Sequence, residues 1–134
     1  MSTVTVASVI ADLVAEQDAL DAVVTPLAAA DWDLATPSPR WAVRDQIGHL
    51  AFFDETAALA ISDPEGFIQH RTDFVAAAFA TPGAGDELTL GPAREMTAKE
   101  LLLHWRSCRN QLAAAAAECG EKDRIEWYGP SMGA

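Results

Sequence analysis

Trp41-Ala-Val-Arg-Asp-Gln-Ile-Gly-His-Leu-Ala-Phe-Phe-Asp-Glu-Thr-Ala-Ala-Leu-Ala-Ile-Ser62 is the stretch from which the fold can be read. Ile47, Leu50, Ala51, Ala58 and Ile61 recur at the spacing of one helix face. Phe52, Phe53 and Ala60 make a second apolar sector, and His49 falls within it. A helix that is apolar on two sides cannot bury both against one neighbour, so this one is expected inside a bundle. Just upstream, Thr36-Pro-Ser-Pro39 forbids helix, because each proline disfavours the helical conformation in the residue before it. The spacing therefore predicts a helix from about Trp41 to Ser62. Asp54 lies on its main apolar stripe, an uncommon place for a carboxylate.

Working outward, Val6, Val9, Ile10, Leu13, Leu20, Val24 and Leu27 mark one face of a first helix, with Pro26 near its end. Ala28 to Pro39 reads as a connection anchored by a buried Trp32. Downstream, Asp63-Pro64 supplies an N-cap and a first-position proline for a third helix to about Ala80, with Phe67, Phe74 and Ala78 facing inward. Thr81 to Pro92 is punctuated by Gly and Pro and is expected to be a loop. Thr97-Ala-Lys-Glu100 has the capping-box pattern and opens a fourth helix to about Cys119, closed by Gly120. Its inner face holds Leu101, Trp105, Cys108, Leu112, Ala115 and Cys119. Ile125-Glu-Trp-Tyr128 reads as a short extended piece broken by Gly129-Pro130. The expectation is an all-α, up-down bundle of four helices forming a single domain over residues 1–134.

Composition agrees. A chain of 134 residues suits one domain and buries enough surface to need no staple. Half of it is apolar, much of that alanine, which favours close-packed helices. The net charge of −11, without a Lys/Arg cluster, argues against nucleic acid and anionic membranes as partners. No apolar run approaches membrane-spanning length, and Met1 to Ala7 lacks the pattern of a signal peptide. Cys108 and Cys119, eleven residues apart, would stand about 16 Å apart on a helix, beyond disulfide reach. They are expected to be reduced core residues of a cytoplasmic protein.

The chemistry available is narrow. The chain has three histidines, and none sits in a complete zinc motif such as H-E-x-x-H; there is also no P-loop, G-x-S-x-G or dinucleotide fingerprint. His49 stands out because an imidazole in an apolar sector needs a partner for its nitrogens. Asp45, one turn earlier, is placed to hold a ring nitrogen as carboxylates do behind metal-bound histidine, or to form only a helix-surface pair. His104 reads as a boundary residue beside Trp105, and His70 with Arg71 as a solvated face. Cys108 could act as a nucleophile only with a lowered pKa, and its place on an apolar stripe favours a core role. A small-ligand pocket between helices, lined by Trp41, Phe53 and Trp105, is a further reading.

The run Asp31-Trp-Asp-Leu-Ala-Thr-Pro-Ser-Pro-Arg-Trp-Ala-Val-Arg-Asp-Gln-Ile-Gly-His-Leu-Ala-Phe-Phe-Asp-Glu55 resembles the N-terminal domain of the mycothiol-dependent maleylpyruvate isomerase family. That family belongs to the DinB-like metal-binding helical bundles, and the resemblance is nearest to an actinobacterial branch. Its specific core is W-x-V-R-D-x-x-x-H-L, and it extends from the first helix to Trp127-Tyr-Gly-Pro130. The resemblance implies that His49 is a ligand of a divalent metal, commonly zinc, with Arg44 and Asp45 as the polar pair before it. It also implies mycothiol as cofactor, and two further ligands on a later helix, a Glu or His followed four positions on by His. No such pair is expected anywhere in the 134 residues, and the helix that would bear it is expected to begin near Ala134.

Since a catalytic zinc needs three protein ligands, the chain is read either as a piece of a longer protein or as a degenerate member. The first reading gives thiol-dependent isomerisation or transfer on a small molecule. The second gives a non-catalytic helical module whose exposed apolar groove recruits a partner or a second copy.

Overall fold

The computed structural model describes residues 4–133. Five α-helices dominate: α1 (Val6–Val24), α2 (Val43–Ser62), α3 (Pro64–Ala78), α4 (Ala84–Arg94) and α5 (Ala98–Ala116). A 3-10 turn at Ala29–Asp33 follows α1, and two short strands, β1 (Arg124–Ile125) and β2 (Met132–Gly133), pair antiparallel at the end.

The elements begin where side chains can satisfy orphan amides. Thr5 caps α1 by accepting from the Ser8 N–H at 3.1 Å while the Ser8 hydroxyl accepts from the Thr5 N–H. Asp63 accepts from the Gly66 N–H and Pro64 takes the first position of α3. Thr97 and Glu100 form the expected reciprocal box on α5. α2 starts at Val43 rather than Trp41: Ala42 is still extended, and its N–H donates to Asp45 Oδ2 at 2.9 Å. Its entry is a tight turn in which Arg40 adopts φ 66° between Pro39 and Trp41.

α2 is the central element, packed against α3, α4 and α5, as its two apolar sectors required. The main core is the α2–α5 seam, where Ile47, Ala51, Leu101, Trp105 and Cys108 are buried together with Trp32 of the 3-10 turn and Ala93 of α4. Trp32 is thus the anchor expected of it. α1 is the outer helix; of its residues only Gln17 and Val24 are buried.

Three expectations need correction. The segment Thr81 to Pro92 is not a loop, and the helices number five, not four: α4 runs through it, launched from Gly83 at φ 82° and closed by Arg94. Gly85, Gly91 and Pro92 lower its intrinsic propensity, but Leu90 is wholly buried and Ala93 packs on α2, so tertiary burial overrides the local signal. α5 stops at Ala116, and Gly120 is not its closing left-handed glycine, its N–H donating instead to Asp123 Oδ2. α1 ends at Val24 rather than Leu27, because Pro26 contributes no N–H to extend it.

Candidate functional site

The first turns of α2 carry the His49 site. The imidazole lies between two aromatic rings, with centroids 5.2 Å from Trp41 and 4.7 Å from Phe53. α4 closes this side: the Trp41 indole N–H donates to Asp86 Oδ2 at 3.3 Å. Burial lowers the His49 pKa, and the Asp86 carboxylate opposes that shift. At neutral pH the ring is therefore neutral, with a nitrogen lone pair free to bind, and among the described residues neither ring nitrogen has a hydrogen-bond partner. Two of the expected pocket residues, Trp41 and Phe53, thus meet at His49.

Trp105 does not join them. It is buried in the α1–α2–α5 seam, with Arg109 stacked 4.7 Å over its ring. There it lines a separate cavity of about 400 Å³ with Leu13, Gln17, Leu20, Leu50 and Asp54. Burial pushes the Asp54 carboxyl up to about 6, against the pull of the Trp105 indole N–H, which falls short of a full hydrogen bond, and of the more distant Arg109.

Asp45 does not orient His49 either. It is buried, and both carboxylate oxygens are committed elsewhere: Oδ2 to the Ala42 N–H and Oδ1 to Arg94 Nε at 2.9 Å. Its work is to cap α2 and bind α4 to it, directly under the His49 turn. Arg44, the other member of the polar pair, is equally structural: it donates to Asp33 at 2.8 Å and to the Met96 carbonyl.

His70 and Arg71 are not a solvated face. His70 Nε2 lies 2.6 Å from the Tyr128 hydroxyl, and Arg71 donates to Glu126 and to the Trp127 carbonyl. Phe67 stacks on Trp127, with planes 2° apart, so the residues after α5 are fastened to α3 by an aromatic cluster. These partners lie more than 50 residues apart in sequence, and no local spacing announces them. Beside them opens a cleft of about 740 Å³ between α2, α3 and α5, lined by Phe52, Glu55, Thr56, Leu59, His70 and Ala115. Its wall is largely apolar.

Do the residues around His49 fit a metal? Among the described residues, His49 has no pair of donors converging on it. A Glu and a His four positions apart do occur, contrary to expectation, at Glu100 and His104. They do not complete the His49 site: Glu100 is spent on the α5 cap, and His104 contacts Cys108. Alone, this set supplies one ligand where a catalytic zinc takes three.

Comparison with known proteins gives this geometry a context. Two curated, uncharacterized proteins of Mycobacterium tuberculosis, from strains CDC 1551 / Oshkosh and H37Rv, are each 37% identical over 127 residues. The match takes in 93% of this chain and 47% of either relative, so the chain spans about half the length of the curated relatives it matches. No solved structure matches it significantly. The model of the mycothiol maleylpyruvate isomerase N-terminal domain matches residues 13–134, which include Trp41, His49 and the Trp127-Tyr128 segment. The chain belongs to the mycothiol maleylpyruvate isomerase N-terminal domain family.

Proposed function

We propose that this chain is the N-terminal helical part of a cytoplasmic, DinB-like enzyme that uses mycothiol in isomerisation or thiol transfer on a small molecule. In it, His49 contributes one ligand to a divalent metal, zinc by preference. The observation that carries this reading is the state of His49: a neutral imidazole, held between Trp41 and Phe53, with no hydrogen-bond partner among the described residues. The ring is half-buried and its nitrogens are not among the buried polar atoms left without a partner, so a ligand can reach them. Family membership supports the link to mycothiol. The remaining ligands are to be supplied by the rest of the protein, because the residues here do not complete the set. A metal of this kind serves to lower the pKa of a bound thiol or water.

The test is zinc calorimetry on the full-length protein. The wild type is expected to bind zinc at micromolar affinity or tighter, and His49→Ala to lose that class of site. Undiminished binding and stoichiometry in His49→Ala would refute the assignment.

A further inference from the structure

A second group of metal-ligating side chains lies away from His49. Glu55 of α2 and His104 and Cys108 of α5 bring one carboxylate oxygen, one ring nitrogen and one sulfur to within 4.8 Å of one another. We propose that Glu55, His104 and Cys108 form a distinct binding site for a zinc-class divalent cation, separate from the site that contains His49.

The placement follows from helix geometry. His104 and Cys108 are four residues apart and so share one face of α5. α5 packs along α2, and this brings Glu55 over the pair. The Cys108 sulfur is 3.6 Å from His104 Nε2. In a tetrahedral zinc site with Zn–S of about 2.3 Å and Zn–N of about 2.05 Å, sulfur and nitrogen ligands stand about 3.6 Å apart. That edge of the polyhedron is already at its required length. The sulfur is also 3.9 Å from Nδ1, so it faces the ring rather than one lone pair, and a rotation of the His104 ring is needed to engage. Within the 4.8 Å limit, Glu55 has to close by at most about 1.5 Å to reach the oxygen–nitrogen separation of such a site, about 3.3 Å. It is exposed and flexible, and makes no hydrogen bond or ion pair among the described residues, so the move is inexpensive.

The donor set selects the ion. A thiolate, an imidazole and one carboxylate suit zinc or its borderline neighbours; magnesium and calcium take oxygen ligands. With three protein ligands, a fourth position stays open to water or to a substrate group. Glu55 also lines the 740 Å³ cleft, so the site sits at the edge of a space large enough for a small molecule. Binding replaces the thiol proton, which is released to solvent, and the two anionic ligands then neutralise the dication. Asp54 is a further nearby carboxylate that favours a cation here.

The same residue types could instead form a nucleophilic Cys–His–Glu arrangement. Two facts oppose it. Cys108 is buried, and burial with the neighbouring carboxylates pushes its thiol up to about 11, whereas a reactive cysteine needs exposure and a lowered pKa. A metal ion removes that obstacle, since a coordinating thiol is deprotonated outright.

Cobalt(II) is the probe, added to the full-length protein carrying Cys119→Ser so that Cys108 is the one thiol among residues 1–134. The expected result is a thiolate-to-cobalt charge-transfer band with tetrahedral d–d absorption, displaced by zinc. Cys108→Ala and His104→Ala should abolish the band, Glu55→Gln should weaken cobalt binding at least tenfold, and His49→Ala should leave the band in place. His104 is partly exposed, so His104→Ala tests the site even if a change at buried Cys108 disturbs folding. Absence of the band at saturating cobalt, or its persistence in His104→Ala, overturns the proposal. Loss of the band in His49→Ala with retention in Cys108→Ala would also overturn it, because the thiolate would then belong to the His49 centre. Loss of calorimetric zinc at His49 with the band intact separates the two sites.

Discussion

Gly48→Ala tests how closely α2 and α4 approach. Gly48 is a buried residue of α2, and a Cβ built on it falls 2.7 Å from the Cβ of Ala93 on α4. Carbon atoms rest at about 3.5–4.0 Å, so the helices must separate by roughly 1 Å to admit the methyl group. Neither atom can swing aside, because each Cβ is fixed by its backbone. Overpacking of this kind costs about 1–3 kcal/mol. Against it stands the gain from replacing glycine in a helix interior, about 1 kcal/mol.

The balance is a net loss of up to about 2 kcal/mol, read as a fall in melting temperature of up to roughly 7 °C for a chain of this size. The reasoning also fixes the partner. In the Gly48→Ala background, Ala93→Gly removes the clashing methyl group. It should therefore cost less there than in the wild type, with a coupling of about 1 kcal/mol or more in a double-mutant cycle. Thermal and urea unfolding of the four proteins supply the numbers. A Gly48→Ala protein more stable than the wild type, or additive single effects, would show that α2 and α4 are not held at this distance.

Two further expectations concern ion pairs. Arg94→Met leaves the buried Asp45 carboxylate without its cation; because Arg94 is one-third exposed, the expected loss is about 1–3 kcal/mol rather than the larger cost of a fully buried pair. Adding Asp45→Asn should recover part of it in urea unfolding, and a double variant no more stable than Arg94→Met would refute the pairing. Asp21 accepts two hydrogen bonds at 2.8 Å from Arg106, one from Thr25, and lies 2.9 Å from Arg109. The Arg106 hydrogen bonds hold its carboxyl well below the usual carboxylate range. The unfolded chain therefore binds a proton in acid more readily than the folded one, so this stabilisation is present above about pH 4 and is lost as pH falls further. Asp21→Asn should cost about 1–2 kcal/mol at neutral pH, allowing for solvent screening, and progressively less below about pH 4. A constant difference from pH 7 to pH 2 in thermal melts would contradict it.

The parts of the fold that were legible are those in which a local cause acts alone. Asp63-Pro64 and Thr97–Glu100 cap their helices with residues no more than three positions apart, and both begin as the sequence says. The double apolar sector of α2 required a central helix, and α2 is central. α4 was not legible, because Gly85, Gly91 and Pro92 speak for a loop. The opposing cause, the fit of Leu90 and Ala93 against another helix, exists only after folding.

The same division explains the candidate sites. Asp45 and His49 are one helical turn apart, and spacing alone suggested that they meet. But Asp45 is also the third residue of its helix, where an unsatisfied amide and the positive end of the dipole attract a carboxylate. Arg94, arriving from α4, takes its other oxygen. Competition inside one turn was thus decided by a residue 49 positions away. Trp41 and Phe53 reached His49 because they flank it on the same helix entry, whereas Trp105 was drawn to α1 by its own core stripe. His104 and Cys108 show the remaining half of the rule. Their four-residue spacing was open to inspection, yet it acquires chemical meaning only when the packing of α2 on α5 sets Glu55 above the pair.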